Sequence, residues 1–484
     1  MYPKSHLSKW HQSGFGLLTD LYQLTMAYGY WKHNIHDKEV VFHLFYRKNP
    51  FQGDYALSAG LALVIDYLKN LRFTVHDIQY LGSLKGSDGK ALFDESFLNY
   101  LQRMEFSCDI DAIPEGTIVF PHQPLIRVKG PWLQAQLIET AMLNLINFST
   151  LIATKAARIV QATEGGTVLE FGMRRAQGVD GSITATRSAY IGGCHGTSNV
   201  MAGQMYGIPV RGTHAHSWVM GFENEIEAFQ SYAEALPNNC IFLVDTYDTI
   251  QGVKNAIKLG AKLRSVGHEM IGIRLDSGDL ATLSKKTRSL LNGMGFEKAV
   301  IVASNDLDEH KIRELKAAGA QIDVWGIGTR LATAYDQAAL GGVYKLSAIK
   351  NRSGRWKDKI KLSEEFIKVS NPGMLQVRRY LDEEGSPIGD MLVNLLAETQ
   401  KPVLIQQNTG KVVNFEDKEY DELLVPIFKG GRLVYETPKI SEIRLRSLQQ
   451  QALFAKVDKE YYPCGLEQSL QERKEALIAQ NRIQ

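Results

Sequence analysis

CIFLVDTYDTIQGVKNAIKLGAKLRSVGHEMIGIRLDSGD, residues 240–279, holds two short apolar runs, Cys240–Asp245 and Met270–Asp276, around an amphipathic stretch of helical period, Val253–Ser265. Each run is too short for a stable helix and apolar at consecutive positions, as a strand is when helices cover both faces of a parallel sheet. The unit recurs outward. Further runs are Thr167–Phe171, Ile208–Gly212, Ala299–Ser304, Ile322–Gly326 and Gly342–Ile349, and further helical patterns are Glu223–Ala235, Leu280–Leu291 and Asp308–Ala318. This many strand–helix units between Thr167 and Ile349 predict an α/β fold with a closed (β/α) barrel rather than an open doubly wound sheet.

The flanks read differently. Residues 1–150 mix helical stretches (Ala56–Leu71, Leu133–Phe148) with a β-like stretch, Gly116–Val128. After a basic segment, Lys350–Lys361, come short strands at Pro402–Ile405 and Arg432–Tyr435 and a charged helix around Gln468–Ala479. We expect residues 1–150 and 351–484 to fold together as a mixed α+β domain beside a barrel spanning 151–350. The chain has 484 residues, 44% hydrophobic and 22% charged, with a net charge of +2. That balance argues against a nucleic-acid tail or a membrane-surface patch. No apolar stretch reaches the ~18 residues of a membrane span, and the opening segment MYPKSHLSKWHQSGFG lacks a signal-peptide core. Four scattered cysteines without a C-x-x-C fit a reducing cytoplasm.

In a parallel barrel the C-terminal strand ends carry the active site. Here they present Glu170–Arg175, Gly212–Ser217, Asp245–Asp248, Arg274–Asp279, Ser304–Asp306 and Gly326–Thr329. Gly326-Ile-Gly-Thr329 could cradle a phosphate through backbone N–H groups or be a plain strand–helix turn. Arg174 and Arg175 suit a pyrophosphate, or simply water. Arg274-Leu-Asp-Ser-Gly-Asp279 could hold ribose hydroxyls or Mg²⁺, and its Ser277-Gly-Asp279 could equally cap a helix. His214-Ala-His216, read on a strand, places both rings on one face. That suggests a zinc hydrolase, although later strands supply only aspartates as further ligands. In the other reading one histidine is a nucleophile or acid/base oriented by Asp245. Ile241–Asp248 superficially resembles the apolar–acidic signature of the open-sheet phosphoribosyltransferases but lacks their phosphate loop, and no Walker-type or G-x-G-x-x-G loop follows any strand.

Thr19-Asp-Leu-Tyr-Gln23, Glu170-Phe-Gly-Met-Arg-Arg175, Gly196-Thr-Ser-Asn199, Gly212-Thr-His-Ala-His-Ser217, Arg274-Leu-Asp-Ser-Gly-Asp279 and Gly326-Ile-Gly-Thr329, in this order, resemble blocks of the nicotinate phosphoribosyltransferases. The resemblance implies the irregular barrel of the type II phosphoribosyltransferases with a flanking mixed domain. It also implies conversion of nicotinate and phosphoribosyl pyrophosphate to nicotinate mononucleotide and pyrophosphate in NAD salvage, coupled to ATP hydrolysis with Mg²⁺. A homodimer sharing its sites across the interface is implied as well. By position, the resemblance makes His216 the residue phosphorylated by ATP and Asp245 its orienting carboxylate, and it gives His214 no role. Phe171 would stack on the pyridine, with Tyr22 of a partner subunit on the opposite face; Thr213, Ser198 and Arg274 would surround the nicotinate. Arg174, Asp276, Gly328 and Thr329 would bind the phosphoribosyl pyrophosphate, Asp276 also being a candidate Mg²⁺ contact. Related nicotinamide enzymes carry a carboxylate where Ser198 stands, so the uncharged Ser198 implies nicotinate over nicotinamide. The alternatives are a nicotinamide or quinolinate phosphoribosyltransferase, the zinc hydrolase, and a catalytically silent nucleotide-binding scaffold.

Overall fold

The computed structural model describes residues 14–398, 400–407, 409–457 and 462–482, so most of the opening segment discussed above, residues 1–13, lies outside the described residues. The chain divides into two compact units.

One unit comprises residues 151–338 with 440–448. Its strands are β1 (Thr167–Glu170), β2 (Gly196–Thr197), β3 (Ile241–Leu243), β4 (Gly272–Leu275), β5 (Val300–Ser304) and β6 (Val324–Ile327). They form one parallel sheet in the order β2-β1-β6-β5-β4-β3. Five of the apolar runs are strands here because helices cover them. Thr249–Ser265, Leu280–Gly293 and Glu309–Ala317 follow β3, β4 and β5. Asp248, Asp279 and Asp308 cap them, each carboxylate accepting from backbone N–H groups of the first turn. Asp279 is therefore a helix cap. Phe229, Phe242 and Trp325 are fully buried in this unit.

Two sequence expectations are corrected. Ile208–Gly212 forms no strand: Val210 makes a single bridge to Thr197. Pro209 has no N–H to give a ladder, and residues 209–212 are exposed. Among the described residues no ladder joins β2 to β3, so the barrel is irregular and its hydrogen bonding does not close. Gly342–Ile349 is a strand, Gly342–Lys350, but it pairs antiparallel with Glu39–Tyr46 in the other unit. Its buried Tyr344 and Ala348 alternate imperfectly with partly exposed Lys345 and Leu346, the pattern of a half-covered antiparallel strand rather than of a barrel stave.

The second unit gathers residues up to 150, 339–439 and from 449 onward. A seven-stranded sheet runs Trp356–Asp358, Gly342–Lys350, Glu39–Tyr46, Ile126–Pro131, Asp109–Ala112, Val425–Lys429 and Arg432–Leu433. A six-stranded sheet is built around the hairpin Leu375–Leu381 and Pro387–Asn394, with Val403–Ile405 and Cys464–Glu467 alongside. The β-like stretch at 116–128 resolves into Ile118–Val119 and the start of Ile126–Pro131, and the charged helix is Gln468–Arg482. No helix among the described residues is long and apolar enough to cross a membrane.

Candidate active site

Parallel register sets the strand ends of the barrel at one level: Arg274 lies opposite Leu243 and Val302, Gly326 opposite Ser304, and Glu170 opposite Ile327. The residues that leave these ends line a cavity of about 240 Å³: Phe171, Arg174, Arg175, Arg274, Asp276, Ser304, Asn305, Asp306, Gly326, Gly328 and Thr329.

Arg274 is the hub. Its Nε donates to Ser304 Oγ at 2.8 Å, Nη1 to Thr213 Oγ1 at 3.3 Å and Nη2 to Asp276 Oδ1 at 2.8 Å. The planar fork is thus fixed at three points, which a lysine could not reproduce. Ser304 Oγ also donates to Asp276 Oδ1. Burial works to raise the Asp276 carboxyl, but the Ser304 hydroxyl and the Arg274 guanidinium outweigh it and hold the group below its ordinary value. Asp245 Oδ2 accepts from Asp276 N (2.8 Å) and Ser277 Oγ (2.6 Å), tying the β3 end to the β4 end.

The two histidines separate. His214 Nε2 accepts from Leu243 N at 3.2 Å, and its Nδ1–H faces Ala215 O at 3.4 Å. Burial, with the Arg274 charge adding, pushes its pKa down to about 4, so the ring is neutral. It packs edge-on to Tyr232, with centroids 4.9 Å apart. With Nε2 committed to the backbone, His214 has no lone pair for a zinc ion. It fastens the loop to β3 instead. No strand carries the pair; His216 opens a short helix, His216–Met220. Its ring is partly exposed, with Nδ1 3.1 Å from Thr246 Oγ1 and Nε2 3.7 Å from Asp276 Oδ2 and 3.9 Å from Asp245 Oδ1. That Asp245 oxygen is buried without a hydrogen-bond partner. Asp245 therefore faces the imidazole at a distance too long for a hydrogen bond, and Thr246 is the group in contact.

Phe171 packs closely against the β6 end: a Cβ at Gly326 would sit 2.8 Å from two of its ring carbons. The Arg274 guanidinium is 5.9 Å from its ring centroid. Arg174 and Arg175 stand exposed on a 3₁₀ turn, Met173–Arg175. Gly328 and Thr329 open the single-turn helix Thr329–Ala332. Asn305 and Asp306 have φ of 129° and 39°, a conformation uncommon outside glycine that holds both residues on the cavity wall.

Arg174, Phe171, Arg274, Asp276, Gly328 and Thr329 thus share one cavity, and Thr213, Asp245 and His216 join it through Arg274 and Asp276. Ser198 is exposed beside β1, its N–H bonded to Glu170 O at 3.0 Å, and is not among the lining residues. Tyr22 belongs to the other unit. It is 49% exposed on the helix Leu21–Lys32 and lines a separate cavity of about 570 Å³ with Lys345, Lys359 and Lys361. Ser304, Asn305 and Asp306, to which the sequence assigns only a place at the rim, line the cavity, as does Arg175, read with Arg174 as suited to a pyrophosphate. Thr246 belongs to the rim cluster Asp245–Asp248, and its contact with His216 has no signal in the sequence beyond that place.

Comparison with known proteins shows the family. Residues 17–147 match the family model of the nicotinate phosphoribosyltransferase N-terminal domain, 167–360 that of the nicotinate phosphoribosyltransferase family, and 374–462 that of its C-terminal domain. A nicotinate phosphoribosyltransferase of Bacillus subtilis is 46% identical over 437 residues, covering 88% of this chain and 87% of that protein. One from Dictyostelium discoideum is 39% identical over 497 residues, covering 90% and 82%. The crystal structure of human nicotinic acid phosphoribosyltransferase superposes with a TM-score of 0.81 at 30% identity, covering 95% of this chain and 99% of that one. With three family models matched in chain order and a structural likeness that spans nearly its whole length, this chain belongs to the nicotinate phosphoribosyltransferase family.

Proposed function

We infer that the protein transfers the phosphoribosyl group of phosphoribosyl pyrophosphate to nicotinate, giving nicotinate mononucleotide and pyrophosphate in NAD salvage. The observation that carries this reading is one cavity lined by an aromatic ring (Phe171), a fixed guanidinium (Arg274), Arg174, Arg175 and the Gly328–Thr329 turn. The pyridine nitrogen forms the new bond to the anomeric carbon as the bond to pyrophosphate oxygen breaks, and that electron pair leaves on the pyrophosphate. Positive charge develops on the sugar and negative charge on the leaving group, and Arg174 and Arg175 are placed to receive the latter. Arg274 attracts the nicotinate carboxylate, and Ser198, uncharged, does not repel it.

The finer reading couples the transfer to ATP. A ring nitrogen of His216 takes the γ-phosphoryl group as the bond to ADP breaks, and water later hydrolyses the phosphohistidine. Its contact with Thr246 and the facing carboxylates of Asp245 and Asp276 support that role. Mg²⁺ is held by one or two carboxylates plus substrate phosphates rather than by a full protein cage. Asp276, kept ionised, and Asp306 in the same lining fit it, and the bound ion would neutralise phosphate charge. A homodimer with shared sites is supported by the exposed Tyr22 and by the helix Val200–Tyr206, which leaves Val200, Met201 and Met205 exposed. A cytoplasmic location is supported by the four free thiols.

The test is pyrophosphate release from nicotinate and phosphoribosyl pyrophosphate, with and without ATP, for wild type and His216→Ala. Wild type should release pyrophosphate only with nicotinate present and faster with ATP. His216→Ala should keep a slower transfer and lose ATP consumption. Release independent of nicotinate would reject the transferase reading; undiminished ATP consumption by the variant would reject the phosphohistidine.

A further inference from the structure

Glu170 closes β1 with its side chain buried; the residue is 1% exposed. Its Oε1 accepts from Gly172 N, and its Oε2 accepts from Thr186 Oγ1 at 2.8 Å and Thr197 Oγ1 at 2.6 Å. Among the described residues no lysine or arginine forms an ion pair with it. Such a carboxylate is tolerated only because its donors fully engage it. One donor leads into the cavity, one to the Ser198 turn beside it, and Thr186 sits on the helix Gly178–Ile191. Gly172 lies between Phe171 and Arg174, and Thr197 immediately precedes Ser198. A Cβ on Gly172 would fall 2.3 Å from Ala332 Cβ and 2.9 Å from both Glu170 Oε1 and Gly328 O, so this is also where the arginine turn meets the Gly328 turn. Asn199 completes the network: its N donates to Thr197 Oγ1 at 2.9 Å and its Nδ2 to Thr186 Oγ1 at 3.3 Å.

We propose that Glu170 is a positioning residue that sets the Phe171–Arg175 segment and the Ser198 turn against each other, and so fixes both the stacking face and the selectivity of the nicotinate slot. This rests on the transferase reading above. Glu170→Gln keeps the shape but replaces one acceptor by a donor, so at least one of the three donors loses its partner. For a displacement on the order of 1 Å at the reacting pair, kcat/KM for nicotinate should fall by about 10²-fold. The preference for nicotinate over nicotinamide should fall by about tenfold, because Ser198 moves with Thr197.

The assay is steady-state kinetics of the full-length enzyme with both pyridines, well below the melting temperature. Thr197→Val should reproduce the loss more mildly, and Thr197→Ser, which keeps the hydroxyl, should restore it. A folded Glu170→Gln with a lowered Tm but unchanged kcat, KM and pyridine preference would make Glu170 structural only and overturn the proposal. Should that variant not fold, equal kinetics and preference in Thr197→Val and Thr197→Ser would overturn it. Absence of transfer by wild type would instead sink the underlying transferase reading.

Discussion

Replacing Gly326 by alanine would put a methyl carbon 2.8 Å from two ring carbons of Phe171, with Ser304 Cβ at a tolerable 3.4 Å. Gly326 is not among the positive-φ glycines, so alanine fits its backbone and the whole effect falls on the ring. Non-bonded carbons settle at about 3.5–4.0 Å, which requires the ring to retreat by about 0.7–1.2 Å. A shift of that size in the surface against which the pyridine stacks should lower kcat/KM for nicotinate by about 10²-fold, or about 2.7 kcal/mol of transition-state stabilisation. The measurement is initial rate against nicotinate at saturating phosphoribosyl pyrophosphate, with thermal melts of the same preparations. Overpacking should also destabilise by about 1–3 kcal/mol. A kcat/KM within about threefold of wild type, with Phe171 unmoved in a crystal structure of the variant, would refute the claim that this ring sets the nicotinate face.

Ser198→Asp would add a carboxylate at the Glu170 end of β1, next to the lining residue Phe171, and should depress nicotinate use by about 10²-fold, read as kcat/KM; an unchanged value would remove Ser198 from the selectivity account. The Asp276 carboxyl is held below its ordinary value of 3.8, so its pairing with Arg274 contributes stability above that pH and loses it as pH falls through the lowered folded value. The Tm difference between wild type and Asp276→Asn should accordingly be largest above about pH 5 and shrink on acidification, whereas a difference growing in acid would reverse the assignment. Lys155 is buried with its ammonium 2.7 Å from Glu309 Oε2 and also bonded to Asp336. Lys155→Met should therefore destabilise the protein by about 1–3 kcal/mol in denaturant unfolding, because Glu309 Oε2 loses its ammonium while Arg158 still holds Oε1 at 3.0 Å.

The barrel strands were legible because burial on both faces leaves a continuous apolar run, which Cys240–Asp245 and Ala299–Ser304 show plainly. Ile208–Gly212 is less apolar, with Ile208 and Val210 as its aliphatic side chains, and Pro209 withholds the donor a ladder needs. Gly342–Ile349 is a true strand whose partner, Glu39–Tyr46, lies far away in sequence, and nothing local discloses which sheet it joins. Arg274, Asp276, Phe171 and Thr329 could be read as site residues because polar groups at the ends of parallel strands must converge. The role of His214 could not, since it depends on a bond to Leu243 N that only tertiary folding creates. Glu170 was hidden for a related reason: at the end of an apolar strand it reads as one more rim charge, and only its three buried donors distinguish it.

The most direct measurement is a crystal structure of the enzyme with nicotinate mononucleotide. The pyridine should lie on Phe171 with its carboxylate toward Arg274, and the phosphate should meet the Gly328–Thr329 turn. A nucleotide bound away from these three groups would contradict the placement of the reaction in this cavity.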